Sequence, residues 1–410
     1  MASRTEFHTH GSPPKVANRD TFIGVTWGIF FALLFVYRSV FSVLGELVIK
    51  RLTFIGDTRT FQVGILREHH RENFSDVGLI VDSATNMTSF NLGTALTTWI
   101  GGVFNTIFFG NFILINIGFQ SLTFLGIVYL LLGVRQSARI WLAVLVMLPS
   151  FTVWTSLASK EAIIAGLTCL SCGYIVRMYY GRELSSNNHV LFCFSTLMIY
   201  IYKPYYLPAV VFLFGVTFFA RHIRQKAFFA LVSGLFSLAL LFIFRDIVAE
   251  LSFKVQGAFE YIDTKGRSTR IGEYFIDQYD VFWKAPQGMF QAFFGPNIGE
   301  LFVSPLHLVT FVESTVVVFL LVFLLLRGLP SLPVYNVVVA LFTIFWISFP
   351  TYSFGVMNVG SAIRYRSGWI IIIFFVIAVL LSRELYFTWR QSGSPSPHRQ
   401  DGIVPQQPST

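Results

Sequence analysis

Apolar runs of about 20 residues follow one another along almost the whole of this chain, and runs of that length restrict the fold more than any single motif does. Twenty residues of helix rise about 30 Å, the thickness of a bilayer's hydrocarbon, and inside that layer each backbone amide must find its partner within its own segment. The chain is therefore expected to be an all-α polytopic integral membrane protein. Composition agrees: 54% of residues are hydrophobic and 12% are charged, against about a quarter charged in a soluble domain. Apolar windows fall near 21–44, 111–133, 140–157, 161–180, 190–202, 204–220, 227–244, 306–327, 333–350 and 367–386, which predicts about 10 transmembrane helices. Residues 1–20 read as a tail without a signal-peptide cleavage site. Residues 21–386 read as the transmembrane domain, and 387–410, rich in Ser, Pro and Gln, as a disordered tail.

Orientation turns on the stretch 92–109, "LGTALTTWIGGVFNTIFF", whose Gly pair, Asn105 and threonines make it more amphipathic than its neighbours. With that stretch at the interface and both termini cytoplasmic, the inner loops receive Arg135 and Arg139, Arg177 and Arg182, Arg221, Arg224 and Lys226, then Arg327, Arg383 and Arg390. That alternation satisfies the positive-inside preference, whereas counting 92–109 as a span places most of these loops outside. Two long extracytoplasmic loops result, at about 45–110 and 245–305, with shorter outer junctions at Ser159–Glu161, Lys203–Tyr206 and Asn358–Arg366.

Several function classes are excluded. The formal net charge of +9 comes from Lys and Arg spread singly over loops, so no nucleic-acid partner is expected. No Walker loop, G-x-S-x-G elbow or H-E-x-x-H motif occurs, and the "CLSC" of Cys169 and Cys172 lies in an apolar run without a second ligand pair. His69–His70 lacks acidic or Cys partners at ligand spacing. No metal site is therefore read from the spacing of ligand residues.

The candidates for chemistry are charges at membrane boundaries where no cytoplasmic anchor is needed, because an ionisable group near hydrocarbon is expensive. Asp57, in "FIGDTRTF", is placed either to accept a proton from a sugar hydroxyl or help hold a divalent metal, or simply to cap a helix beginning at Thr58. Lys160, in "LASKEAII", suits a phosphate, while its neighbour Glu161 also suits the positive end of a helix capped by Ser159. Lys203, in "YIYKPYYLP", sits where Pro204 ends or redirects a helix. Glu313 lies inside the apolar run "HLVTFVESTVVVFLL", which marks it for pairing or function. Arg364 and Arg366, in "NVGSAIRYRSGW", point about 200° apart if helical, so one can face a site while the other pairs or snorkels elsewhere. Arg forks match phosphate oxygens bidentately.

The ordered set "GDTRTF", "FNTIFFGNFILINIGFQ", "LPSFTVWTSLASKEAI", "YKPYYLPAVV", "FVEST" and "NVGSAIRYRSGW" resembles bacterial polytopic proteins of exopolysaccharide and O-antigen assembly. These are membrane glycosyltransferases of GT-C type and Wzy-like polymerases, and the resemblance spans about residues 20–385. It implies a bacterial inner-membrane enzyme that transfers a sugar from a polyprenyl-(pyro)phosphate donor to a glycan or lipid acceptor at the periplasmic face, among membrane lipid and polysaccharide-assembly proteins. Asp57 matches the acidic residue of the first outer loop that serves catalysis in the first group, although Thr58 stands where a second acid often follows. Arg364 and Arg366 match the outer-face arginines that hold lipid pyrophosphates in the second. The non-enzymatic alternatives are a lipid-linked oligosaccharide flippase or another transporter, and a structural subunit of an export complex.

Overall fold

The computed structural model describes residues 21–22, 25–49, 58–64, 89–262, 270, 274–303, 305–328 and 333–381. Its helices in chain order are α1 (Trp27–Leu44), α2 (Thr58–Val63), α3 (Ser89–Ile107), α4 (Phe112–Gly133), α5 (Gln136–Val146), α6 (Pro149–Thr155), α7 (Lys160–Tyr179), α8 (Ser186–Tyr202) and α9 (Leu207–Phe219). They continue with α10 (Lys226–Ile243), α11 (Arg245–Ile262), α12 (Asp280–Trp283), α13 (Ala285–Phe294), α14 (Pro305–Gly328), α15 (Val334–Met357) and α16 (Val359–Phe375). The extended pairing among the described residues is a two-residue antiparallel bridge of Thr21–Phe22 with Val25–Thr26.

Among the described residues, seven helices are long and apolar enough to cross a membrane: α1, α4, α7, α10, α14, α15 and α16, the first and last carried on by wider turns to Val48 and Leu381. Helices α5 and α6 pass the same test only as a pair, bent by 65° at the break between them, the geometry of a broken span or a re-entrant loop. The 17-residue α8 and the apolar Pro204–Phe219 are shorter. The chain is thus a multi-pass helical membrane protein.

Burial separates the centre of the bundle from its rim. Within their spanning windows 83% of α7 and 89% of α16 is buried, against 11% of α10, so the two helices that carry Glu161 and the arginine pair are central. With lipid outside as apolar as the core, such helices associate through close packing of small residues. At the α4–α7 crossing a Cβ on Gly166 would lie 2.7 Å from the Leu122 carbonyl.

Three sequence expectations change. The single helix near 140–157 is two, because Pro149 cannot donate its amide and biases Leu148 to an extended backbone, so the chain turns there. The helix expected near 367–386 begins at Val359, with the Asn358 side chain accepting from the Ser361 amide at 2.9 Å. Arg364 and Arg366 therefore stand inside a membrane helix, not in a loop at its mouth. The segment of about 245–305, expected as a long loop, is largely helical where described, as α11, α12 and α13. Residues 92–107 of the stretch 92–109 fold within α3, and α2 and α3 pack so closely that Gly101 leaves no room for a side chain against the Phe61 carbonyl.

A clamp ties the second long segment to the bundle. Arg270 meets Glu300 with a two-pronged pair, Nε to Oε1 at 2.8 Å and Nη2 to Oε2 at 3.1 Å. The same guanidinium donates to the Gly355, Val356 and Gly295 carbonyls. Burial pushes the Glu300 carboxyl up, but the Arg270 bonds and the Asn297 amide outweigh it and hold the group below its ordinary value.

Candidate functional site

The site is assembled around the start of α7. After α6 the backbone runs irregularly through Ser156–Ser159, and two side chains fix that turn. Ser159 caps α7 by accepting from the Ala162 amide at 3.1 Å, and the Asn116 side-chain carbonyl accepts from the Ala158 amide at 2.9 Å. Lys160 then points to α3, where its ammonium donates to the Thr94 hydroxyl. Glu161, one residue on, points inward and is fully buried.

Two cations meet on one oxygen of that carboxylate. Lys203 Nζ lies 3.1 Å and Arg364 Nε 3.0 Å from Glu161 Oε1. Lys203 gets there because α8 ends at it, its amide still bonded to the Ile199 carbonyl, and Pro204 turns the chain into the short Pro204–Tyr206 helix. Tyr206 donates to the Tyr365 carbonyl at 2.9 Å, and a Cβ on Gly368 would come within 2.7 Å of that tyrosine oxygen. Glycine at 368 thus keeps the aromatic wall against α16. The Lys203 ammonium stands 4.1 Å from the centre of the Tyr365 ring, and the Arg364 guanidinium 6.0 Å from that of Trp154, both within cation–π range.

Exposure grades the cations. Side-chain accessibility is 0% for Glu161, 3% for Lys203 and 20% for Arg364, so Lys203 serves the carboxylate while Arg364 and the half-buried Lys160 are the cations a ligand can reach. The second oxygen of Glu161 has no hydrogen-bond partner among the described residues.

Glu313 and Arg366 belong elsewhere. Arg366 Nη2 lies 3.4 Å from Glu313 Oε1 and 3.1 Å from the Ser150 hydroxyl, while Nη1 donates to the Phe293 carbonyl at 3.0 Å and to the Ser314 hydroxyl. Glu313 in turn accepts from the Ser150 amide at 2.8 Å and from its hydroxyl. This cluster satisfies an orphan amide at the start of α6, just past the bend, with a carboxylate at the positive end of that helix. With 1% and 6% of their side chains accessible, the pair offers nothing to a ligand. The six charged candidates other than Asp57 therefore divide into an open group of Lys160, Glu161, Lys203 and Arg364 and a closed pair. Asp57 lies outside the described residues. Among the described residues no group of three or more His, Cys, Asp or Glu is placed to hold a metal ion.

Sequence reading passed over an internal polar column. Arg38, Ser42 and Glu46 recur along α1 and its continuation, and Asn116, Gln120 and Thr123 along α4, at helical spacing. Ser42 donates to the Ser156 carbonyl at 2.8 Å, and Gln62 to Glu46 at 2.7 Å and to Asn116 at 3.0 Å. Arg38 is fully buried and donates through Nη2 alone, to the carbonyl and hydroxyl of Thr155 at 2.9 and 2.8 Å. Its Nε and Nη1 have no hydrogen-bond partner among the described residues. The available signal was the recurrence of polar residues every three or four positions within apolar runs.

Helices, composition and buried charge together define a polytopic helical membrane protein with a cationic, aromatic-walled site near one end of its bundle. No protein family, curated protein or solved structure matches the chain.

Proposed function

We propose that the protein transfers a sugar from a polyprenyl-(pyro)phosphate donor at the periplasmic face of a bacterial inner membrane, in the assembly of a surface polysaccharide or glycolipid. The observation that carries this reading is the open cluster in which Arg364 and Lys160 stand accessible beside a fully buried Glu161–Lys203 pair. Cations held in place before reaction stabilise charge as it develops on a departing phosphate, and Arg offers a fork that matches two of its oxygens. Trp154, Tyr205 and Tyr365 around the cations give a wall for a sugar face or the first isoprene units. Asp57 is the proposed base for the acceptor hydroxyl, and a divalent metal beside it is compatible with that role.

Orientation follows from loop charge. The seven long helices, the bent α5–α6 pair, α8 and the Pro204–Phe219 segment would make ten crossings, with Arg135, Arg139, Arg177, Arg182, Arg221 and Arg224 at the end away from Glu161. By the positive-inside preference that end is cytoplasmic and the site is periplasmic.

The test is chemical. Cells carrying Arg364→Ala or Asp57→Asn, each shown to be inserted and folded, should accumulate the lipid-linked donor and lose polymer or glycolipid. Normal product from either variant would remove the assignment. A second reading, translocation of a lipid-linked oligosaccharide, is favoured by Arg38, fully buried with two guanidinium nitrogens lacking a hydrogen-bond partner among the described residues, since an ionisable group deep in a bundle marks a substrate or ion pathway by default. It differs in where the intermediate collects: on the cytoplasmic leaflet for a failed translocase, on the periplasmic leaflet for a failed transferase.

A further inference from the structure

The segment from α11 to the start of α14 carries apolar side chains that no described residue covers. Phe302 is 89% exposed, Trp283 83% and Ile298 75%, and Phe290, Ile247 and Leu251 are each more than half exposed. On α11 the exposed stripe is mixed: Lys254, 68% exposed and paired with the 65% exposed Glu250 at 2.6 Å, lies on the same helical face as Ile247 and Leu251 and carries its charge past them. Apolar exposure on this scale is uncommon on a surface that faces only water.

Three observations say what covers it. First, chain reach: Ile247 follows the last residue of α10, Ile243, by four positions, and Phe302 precedes the first residue of α14 by three. At about 3.6 Å per residue at most, both stay within roughly 15 Å of the end of a spanning helix. Second, the segment cannot swing outward, because Arg270 is bonded to Glu300 and to the Gly355 and Val356 carbonyls at the end of α15. Third, the chemistry is that of a lipid interface: a Trp, phenylalanines and branched aliphatics beside Lys284, and Arg245 folded over the Phe242 ring at 4.8 Å with its charge carried outward.

We infer that this segment is an interfacial collar, with Trp283, Phe290, Ile298 and Phe302 set into the headgroup and upper acyl region of the leaflet on the site's side of the membrane. The Glu250–Lys254 pair, on the α11 stripe that also carries Ile247 and Leu251, holds its charges at the water edge of the collar. The collar lies at the end of the bundle that holds the open cluster, since Phe293 accepts from Arg366 and Gly295 from Arg270. It would hold that end of the protein at a fixed depth, independently of whether the cluster performs transfer or translocation.

The experiment uses the full chain in phosphatidylcholine vesicles, with a bimane fluorophore on Trp283→Cys, Phe302→Cys or Lys254→Cys, and the parent's labelling at Cys169, Cys172 and Cys193 subtracted. All three positions are more than half exposed, so the substitutions leave the core intact. Lipids brominated near the top of the acyl chain should quench the labels at 283 and 302 several-fold more than the label at 254, and aqueous iodide should show the reverse order. Iodide quenching at 283 and 302 equal to that at 254 would put the face in water and overturn the inference. Protection of 283 and 302 from both quenchers would mean that a protein covers them, which overturns it equally.

Discussion

Arg364 and Arg366, two residues apart on α16, serve different carboxylates: Arg364 Nε is 3.0 Å from Glu161 and Arg366 Nη2 is 3.4 Å from Glu313. The helical turn between them, about 200° over two residues, sends one guanidinium to the open cluster and the other into a sealed one. Their substitutions should fail in different ways. Arg364→Ala is expected to keep the fold and lose function, and Arg366→Ala to destabilise by about 3–5 kcal/mol because Glu313 is left buried and unpaired. Thermal unfolding in detergent beside a product assay separates the two, and equal thermal losses would contradict this division.

Glu161 holds two cations on one oxygen, so removing its charge leaves both without compensation. Glu161→Gln should cost about 3–5 kcal/mol. Adding Lys203→Met, which removes one of the stranded charges, should recover part of the loss, a coupling visible in a double-mutant cycle. Strict additivity of the two substitutions would mean that the pair does not interact.

Asn116 pins the turn before α7 through the Ala158 amide while also meeting Gln62 and Glu46. Asn116→Leu leaves that amide buried without a partner, at a cost of about 1–3 kcal/mol. Because the turn carries Lys160 and Glu161 into place, product formation should fall even at temperatures where the variant is fully folded. An unchanged melting midpoint with unchanged activity would show that the turn is held by other contacts.

Asp280 gives the collar a defined acid response. Its carboxylate bonds Lys284 at 2.8 Å and accepts from the Ile276 and Asp277 amides, which hold it at about 2. A depressed carboxyl contributes stability that is complete above its unfolded value of about 4 and is lost as pH falls through the folded one. Pepsin cleavage within 274–303 should therefore accelerate between about pH 4 and pH 2. Asp280→Asn should flatten that profile, and a parent profile already flat would refute it.

The class of fold was legible because bilayer thickness imposes a length that apolar runs report directly. Helix ends at Asn358 and Pro149 were less so. Asn358 begins a helix by a side-chain bond to Ser361 that hydropathy does not register, and the Arg residues after it lowered the local hydropathy enough to imitate a loop. Four of the boundary charges singled out in the sequence, Lys160, Glu161, Lys203 and Arg364, come together at the start of α7. Which partner each takes depends on crossings between segments far apart in sequence, so the separation of Glu313 and Arg366 from the rest could not be read. Arg38 was missed for a different reason: one cation in an apolar run barely moves a window average, although its position among Ser42 and Glu46 marks a polar face.

The bend between α5 and α6 also sets a time order. The partners that satisfy Ser150 are Glu313, 163 residues later, and Arg366, 216 residues later. At about 5–20 residues per second, synthesis reaches the first of them on the order of ten to thirty seconds after Ser150 itself. For that interval the start of α6 has neither its carboxylate nor its guanidinium, and the bent pair must wait half-assembled in the bilayer until the C-terminal helices arrive.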